Sequence, residues 1–226
     1  MELSIDTSTG FATVAVSDGG RIVSETTWRA GRNHSVDLAP TLLRTLSHAG
    51  VAISDIAAIF VAMGPGGFSA LRVGMSLAKS LAMARSIPLL GISTLEVEAA
   101  PYLGLGSPVC AILDAGRGLF YVARYNAAGN SDGEYAVQTL EDLSATVVVP
   151  TVICGEDAAA NSAEIRRRLG GRAIVSAVPP PTRRAAVLAM LGHRSLAAGR
   201  ADDPAALQPI YMRGSQFEAA QKILGR

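Results

Sequence analysis

Two aspartates occupy positions where a carboxylate could take part in phosphate or metal chemistry. Each ends a short apolar segment and is followed by a turn, Asp6-Thr7-Ser8-Thr9 in the first case and Asp114-Ala115-Gly116-Arg117 in the second. The backbone amides of such turns can bind an anion, while the carboxylate holds Mg²⁺ or its waters. If the two turns face each other across a cleft, they form a nucleotide site in which Arg117 could clamp an anion. The alternative is that each aspartate accepts hydrogen bonds from the amides of its own turn.

The surroundings of the two aspartates match at a constant offset of 108 residues. Without a gap, Asp6 aligns with Asp114, Gly10 with Gly118, Phe11 with Leu119 and Val14 with Val122. A constant offset predicts that a strand–turn–strand unit has been duplicated.

The hydrophobic pattern predicts an α/β fold with two lobes, over residues 1–103 and 104–226, joined by a linker at 103–107. In the first lobe we expect three strands over 3–28, a helix over 35–49, a strand over 56–63, a helix over 69–85 and a strand over 88–92. In the second we expect strands over 109–113, 119–125, 151–154 and 173–178, with helices over 157–169 and 182–198. Thr182 is the expected cap of the last helix, and a short polar helix is expected in the tail.

A glycine-rich segment, Gly64-Pro65-Gly66-Gly67, lies between the fourth predicted strand and the helix over 69–85. A loop that leads into a helix N-terminus can bind an anion through free amides. The spacing is neither that of a P-loop, which requires Gly-Lys-Ser/Thr, nor Gly-x-Gly-x-x-Gly. We therefore favour the alternative, a tight loop that lets the helix pack closely on the sheet.

The helix over 69–85 has a wider apolar surface than packing on one sheet requires. Gly74, Ala78 and Ala82 are spaced by four residues, a pattern that lets another helix approach closely. The sequence therefore predicts a second packing partner, which is either the helix over 35–49 or another protein chain.

Searches for other catalytic or metal-binding patterns return little. His34, His48 and His193 have no metal-ligand spacing, and no Gly-x-Ser-x-Gly motif is present, so neither a metal site nor a serine nucleophile is expected. The arginines at 166–168, 172, 183 and 184 are interpreted as solvated surface residues.

Composition narrows the class of protein. A hydrophobic content of 49% with 17% charged residues excludes a disordered chain, and a net charge of +1 gives no field that would attract nucleic acid. No apolar run is long enough to cross a bilayer, and the first residues do not resemble a signal peptide. Cys110 and Cys154 lie in apolar segments, as buried thiols do. We expect a soluble, reduced, intracellular protein.

Five segments occur in the order found in the bacterial TsaB (YeaZ) family, which the sequence resembles over essentially its whole length. They are Asp6-Thr7-Ser8-Thr9, His34-Ser35, the segment over 64–74, Asp114-Ala115-Gly116-Arg117 and Tyr211-Met212-Arg213. The sequence departs from the family at Gly67 and Ala70, where Ser and Gly are more usual. The second lobe is the weaker match.

The resemblance implies a two-lobed actin-like (ASKHA, ribonuclease-H-like) fold built from a duplicated βββαβα unit, with a degenerate second lobe. It implies a non-catalytic, cytoplasmic protein that helps to make threonylcarbamoyladenosine at position 37 of tRNAs that read ANN codons. The implied partners are TsaD in a heterodimer, the ATPase TsaE, and a second copy in a homodimer. Contact with tRNA would occur only through the complex, with no membrane, no metal and no cofactor of its own, and with ATP or ADP bound in the complex.

The resemblance also assigns residues. The two helices over 35–49 and 69–85 would form the partner interface, through Arg72, Val73, Gly74, Leu77, Ala78, Leu81, Ala82, Leu42 and Leu46. The vestigial nucleotide cleft would consist of Asp6, Thr7, Ser8, Thr9, Asp114 and Arg117, and no residue would be catalytic.

Two other functions stay open. The first is an actin-like ATPase or phosphotransferase that uses Asp6 and Asp114, although the second lobe has no recognisable adenosine-binding segment. The second is a glycoprotease-like metallopeptidase, which the three scattered histidines disfavour.

Overall fold

A computed structural model of the chain describes residues 1–176 and 185–212. The chain divides into two compact units, Met1–Val97 with Thr182–Ile210, and Glu98–Pro181 with Tyr211–Arg226. Four expectations lie outside the described residues. They are the Thr182 cap, Arg183 and Arg184, Arg213, and the polar helix of the tail.

The first unit is built on a five-stranded sheet with the strand order β3-β2-β1-β4-β5. Its strands are β1 (Glu2–Asp6), β2 (Phe11–Asp18), β3 (Arg21–Arg29), β4 (Ala58–Ala62) and β5 (Leu89–Ile92). Its long helices are α1 (His34–Ala49) and α2 (Phe68–Arg85), and the short helix α3 (Thr94–Ala99) follows β5. β1 and β4 are buried along their whole length, as expected for central strands covered on both faces.

Helices α1 and α2 cover one face of this sheet. Leu3 and Ile5 of β1 share a buried cluster with Leu38 of α1 and Met75 of α2. Because successive side chains of a strand point to opposite faces, the intervening residues face the other side.

The second unit repeats this arrangement with shorter helices. Read from the edge that corresponds to β3, its strand order is β8-β7-β6-β9-β10. The strands are β6 (Val109–Gly116), β7 (Leu119–Tyr125), β8 (Ala136–Gln138), β9 (Thr151–Cys154) and β10 (Ala173–Ile174). The helices are α4 (Leu140–Thr146), α5 (Glu156–Ala160) and α6 (Ser162–Leu169).

The two sheets have the same topology. β1 pairs antiparallel with β2 and parallel with β4, and β6 pairs antiparallel with β7 and parallel with β9. In each unit the third strand is followed by a helix and then the fourth strand, which a helical segment links to the fifth. The predicted α/β fold is confirmed, and the identical strand order supports the predicted duplication. The second unit differs from the first in its shorter helices, while the connections between its elements follow the same order.

Three details differ from the sequence prediction. The helix expected over 157–169 is interrupted at Asn161, and the strand expected over 173–178 ends at Ile174. The last helix of the described chain, α7 (Ala185–Ala197), packs on the first sheet although it follows the second unit in sequence. Gly192 makes this possible, because a Cβ at this position would overlap the ring of Phe60 on β4.

The described part of the chain contains no helix that is both long and apolar enough to span a membrane.

A buried glutamate connects α7 to the sheet. Glu2 accepts hydrogen bonds from Ser17 Oγ (2.6 Å) and Gly20 N (2.9 Å) through Oε2, and from His193 Nδ1 (2.7 Å) through Oε1. Burial raises the pKa of Glu2, but the hydrogen bonds from Ser17, Gly20 and His193 outweigh it. The pKa of Glu2 therefore lies below its ordinary value of 4.5.

Ionised Glu2 should stabilise the fold above about pH 4.5, and this contribution should be lost as the pH falls through the lower folded-state pKa. At pH 7, Glu2→Gln is expected to lower the free energy of unfolding by about 1–2 kcal/mol. Between about pH 5 and pH 3, the unfolding free energy of the variant is expected to fall less than that of wild type. Urea unfolding followed by circular dichroism at each pH measures both effects. Glu25→Gln, at an exposed position of β3, is the matched control. Equal pH dependence of Glu2→Gln and wild type would contradict the assignment.

Candidate functional site

The Asp6 carboxylate is directed into its own turn. Its side chain is 1% exposed, and Oδ1 accepts hydrogen bonds from Ser8 N (2.8 Å) and Ser8 Oγ (2.6 Å). Thr7 and Ser8 are also buried. These bonds are those of the second alternative, in which the aspartate orders the backbone of its turn, and a nucleotide site at this turn stays a prediction.

The glycine-rich loop before α2 packs directly on this turn. Gly67 N donates to Ser8 O (2.8 Å), and a Cβ on Gly66 would overlap the same carbonyl oxygen. Glycine is therefore required at Gly66 by the close approach of two backbones. The Gly67 amide at the start of α2 binds a protein carbonyl, which agrees with the packing role that the sequence analysis favoured for this loop.

The corresponding turn in the second unit has the same internal bond but different surroundings. Asp114 Oδ1 accepts from Gly116 N (2.9 Å), while Asp114 N donates to Asp157 Oδ2 (2.8 Å). Asp114 is exposed, as is Arg117, whose φ of 59° is unusual for a residue other than glycine. Arg117 lines a groove of about 590 Å³ in this unit, together with residues of α4 and α6. A cleft shared by Asp6 and Asp114 stays a prediction.

Five of the nine predicted interface residues lie in the core. Gly74, Ala78 and Ala82 face the sheet, and a Cβ on Gly74 would overlap Thr7 Oγ1. Leu42 and Leu46 of α1 are likewise buried. The row of small residues brings α2 close to β1 and its turn, and all five side chains are covered within the chain. Their part in a partner interface stays a prediction.

The other four predicted residues reach the outer surface of α2. Arg72 is exposed and its guanidinium lies 4.0 Å from the centre of the Phe68 ring, a cation–π contact. Val73, Leu77 and Leu81 are half-buried, since they contact the core and also reach solvent. Their spacing of four residues gives α2 a second apolar stripe on its outer side.

The sequence analysis missed the most exposed apolar side chains of this face. Val36 and Leu43 of α1 are 69% and 64% exposed, and Met83 of α2 is 59% exposed. Val36, Pro40 and Leu43 follow one side of α1 at helical spacing, and all three are exposed. That spacing was a usable signal, but the predicted interface residues of α1 were Leu42 and Leu46, and Leu43 was not among them. We define the α1–α2 face as a set of apolar residues of the two helices. Its exposed members are Val36, Pro40, Leu43 and Met83, and its half-buried members are Val73, Leu77 and Leu81.

A groove of about 510 Å³ lies between the N-terminal ends of α1 and α2. Its lining includes the side chains of Arg32, Ser35, Phe68 and Val73. The groove belongs entirely to the first unit.

The remaining titratable groups give structural contacts. Within residues 1–176 and 185–212, no three His, Cys, Asp or Glu side chains are grouped to hold a metal ion. Burial raises the pKa of the Cys110 thiol to about 12, which disfavours the thiolate that a nucleophile requires.

Arg166 and Arg167 are exposed, as interpreted from the sequence, while Arg168 and Arg172 are half-buried. Arg166 also donates to Val175 O, and Arg172 donates to Ser144 O and Val147 O, so both bind backbone carbonyls of the second unit. Arg167 and Arg168 donate to Glu164, and these hydrogen bonds lower its pKa to about 2.

Comparison with known proteins agrees with this architecture. The family model of TsaD, described as tRNA N6-adenosine threonylcarbamoyltransferase, matches residues 24–163. The chain is 28% identical to the tRNA threonylcarbamoyladenosine biosynthesis protein TsaB of Bacillus subtilis, with 96% of both chains covered.

Solved structures give the same result. YeaZ from Pseudomonas aeruginosa superposes with a TM-score of 0.74 at 26% identity, covering 93% of this chain and 99% of that one. A ROK hexokinase from Thermus thermophilus, 14% identical, superposes with a TM-score of 0.50 over 85% of this chain and 97% of that one, which shows an actin-like fold and no more. The chain belongs to the family described by the TsaD model and, within it, to the TsaB (YeaZ) group.

Proposed function

We propose that this protein takes part in the biosynthesis of threonylcarbamoyladenosine in tRNA as a non-catalytic partner of a TsaD-type transferase. Relatives named for this pathway and the family match support the role in the pathway. The observation that carries the partner role is the α1–α2 face. Exposed apolar residues grouped on one surface are typical of protein–protein interfaces.

The α1–α2 face suits a helical partner. Each helix presents apolar side chains along its outer side, Val36 and Leu43 on α1 and Val73 and Leu77 on α2. Two adjacent helices with such stripes can pack against two helices of another chain, because ridges of one pair fill grooves of the other. We propose that this packing forms the heterodimer with TsaD, and that a second copy of the chain uses the same face in a homodimer.

The chemistry of the turns supports a role without catalysis. Asp6 is buried by its own turn and by the loop before α2, so its carboxylate is not presented to a ligand in the first unit. We propose that ATP or ADP binds only in the assembled complex, which the ATPase TsaE joins in the cytoplasm. Contact with tRNA would then be made through the complex.

A second candidate, an actin-like ATPase, is favoured by one observation in the second unit. Asp114 is exposed, and Arg117 stands three residues further on, beside the groove of about 590 Å³. An exposed carboxylate and an arginine could bind the metal and phosphates of a nucleotide.

Leu43→Asp is expected to weaken association with the cognate TsaD by about tenfold or more, because it places a charge in an apolar interface. Val148→Asp, which changes a residue 73% exposed in the second unit, is the matched control and should bind like wild type. Isothermal titration calorimetry gives both dissociation constants. Equal affinity of Leu43→Asp and wild type would exclude the α1–α2 face as the interface.

Asp114→Ala separates the two candidate functions. In the partner role it should leave tRNA modification within about twofold of wild type, when measured with cognate TsaD and TsaE, because an exposed turn residue contributes little to the fold. In the ATPase role the chain alone should hydrolyse ATP, and Asp114→Ala should abolish that activity. ATP turnover by the isolated chain that depends on Asp114 would overturn the partner role.

A further inference from the structure

We infer that the turn Asp6-Thr7-Ser8-Thr9 is a positioning element that fixes the starts of α1 and α2, and thereby the geometry of the α1–α2 face. The inference rests on the proposed function, because it concerns the residues that hold the α1–α2 face, the proposed partner interface, in shape. The same residues were candidates for phosphate binding in the sequence.

The turn makes two hydrogen bonds to the start of α2. Thr7 Oγ1 donates to Ala70 O (2.7 Å), and Ser8 O accepts from Gly67 N (2.8 Å). The missing side chain of Gly74, one helical turn after Ala70, leaves the space that the Thr7 side chain fills. Thr7 therefore fixes the position of α2 along its axis in two ways, through the hydrogen bond to Ala70 O and through the close contact with Gly74.

The same turn also holds the start of α1. His34, the first residue of α1, is buried and its Nε2 donates to Thr9 O (2.8 Å). The preceding loop is fixed by Gly10 O, which accepts from Ala30 N (3.0 Å) and Gly31 N (2.9 Å). Three consecutive residues of one turn, Thr7, Ser8 and Thr9, thus bond to the beginnings of the two helices.

Local capping does not replace these contacts. Asn33 and Gly67, the residues that precede α1 and α2, make no side-chain hydrogen bond to their helices. The first turn of a helix has unpaired amides and frays unless other groups hold it. Here the β1–β2 turn, more than 20 residues away in sequence, holds each helix start through a group other than those amides, the Ala70 carbonyl of α2 and the His34 side chain of α1.

The Asp6 carboxylate gives the turn its shape. It accepts both the amide and the hydroxyl of Ser8, so the Ser8 carbonyl is directed to Gly67. In an actin-like fold that binds phosphate, the equivalent donors would remain available to the ligand. In this chain the Thr7 hydroxyl and the Ser8 amide and hydroxyl are all engaged by protein atoms.

The test uses Thr7→Val, which removes the hydroxyl and keeps the shape of the side chain. We expect association with the cognate TsaD to weaken about tenfold, and Thr7→Ser, which retains the hydroxyl, to restore affinity to within about threefold of wild type. Thr13→Val is the matched control. Thr13 is fully buried and accepts a hydrogen bond from Thr27 Oγ1, but it lies on the strand face opposite α1 and α2, so its loss should leave the affinity unchanged.

A spectroscopic measurement reports the helix positions directly. Ser47 of α1 and Ser80 of α2 are exposed and can be replaced by cysteine for spin labelling, since Cys110 and Cys154 are buried. In the isolated chain, Thr7→Val should broaden the distance distribution between the two labels, and Thr13→Val should not. His34→Phe, which removes the ring nitrogen and keeps the volume, should broaden it through α1.

The outcomes separate the inference from the proposed function. If wild type does not bind TsaD, the proposed function fails, and the label distances still test the positioning role. If wild type binds, and both Thr7→Val and His34→Phe keep wild-type affinity and label distances, the positioning role is overturned. The positioning role is also overturned if Thr13→Val weakens association as much as Thr7→Val does, because the loss of any buried hydrogen bond would then have the same effect.

Discussion

The first unit depends on the close approach of two backbone segments, the β1–β2 turn and the loop before α2. At the point of contact the Ser8 carbonyl accepts from Gly67 N, and it lies so close to Gly66 that a Cβ there would overlap it. The Asp6 carboxylate makes the approach favourable, because it satisfies the Ser8 amide and hydroxyl, which are buried with no access to water. This contact ties the β1–β2 turn to the start of α2, beside the cluster of buried side chains that joins the sheet to both long helices.

The fold could largely be predicted from the sequence because the pattern of apolar residues is strong in the first unit. The fully buried strands β1 and β4 and the long helices α1 and α2 lie close to their predicted positions. Lobe membership could not be predicted for α7, since nothing local to that helix indicates which sheet it covers. The information lies in Phe60 and Gly192, which are adjacent only after folding.

The two helices of the candidate site could be located from the sequence, but the side of α2 that is covered could not. A stripe of small residues indicates close packing, but it does not say whether the neighbour is a helix or a strand. In α2 the neighbours of Gly74 are Thr7 and Ile5 of the β1 segment, so the stripe faces inward. Once that face is assigned to the core, the outer face follows from helical geometry, and it includes Leu77 and Leu81 but not Ala78. Periodicity locates the two sides of a helix; only the contacts show which side is covered.

The two copies of the turn show how a duplicated motif can take different roles. Asp6 and Asp114 each accept a hydrogen bond from the amide of the residue two positions later, so this bond within the turn is the same in both units. The difference comes from the segment that follows the fourth strand of each sheet. In the first unit that segment is a glycine loop, which buries the turn, while in the second it brings Asp157 to the Asp114 amide and leaves the Asp114 side chain exposed. A motif that can bind an anion through its amides and hydroxyls can bind protein carbonyls through its hydroxyls equally well, and the neighbouring backbone decides between the two. In the first unit the neighbour is the start of α2, and the Thr7 hydroxyl of the turn therefore holds that helix by donating to Ala70 O.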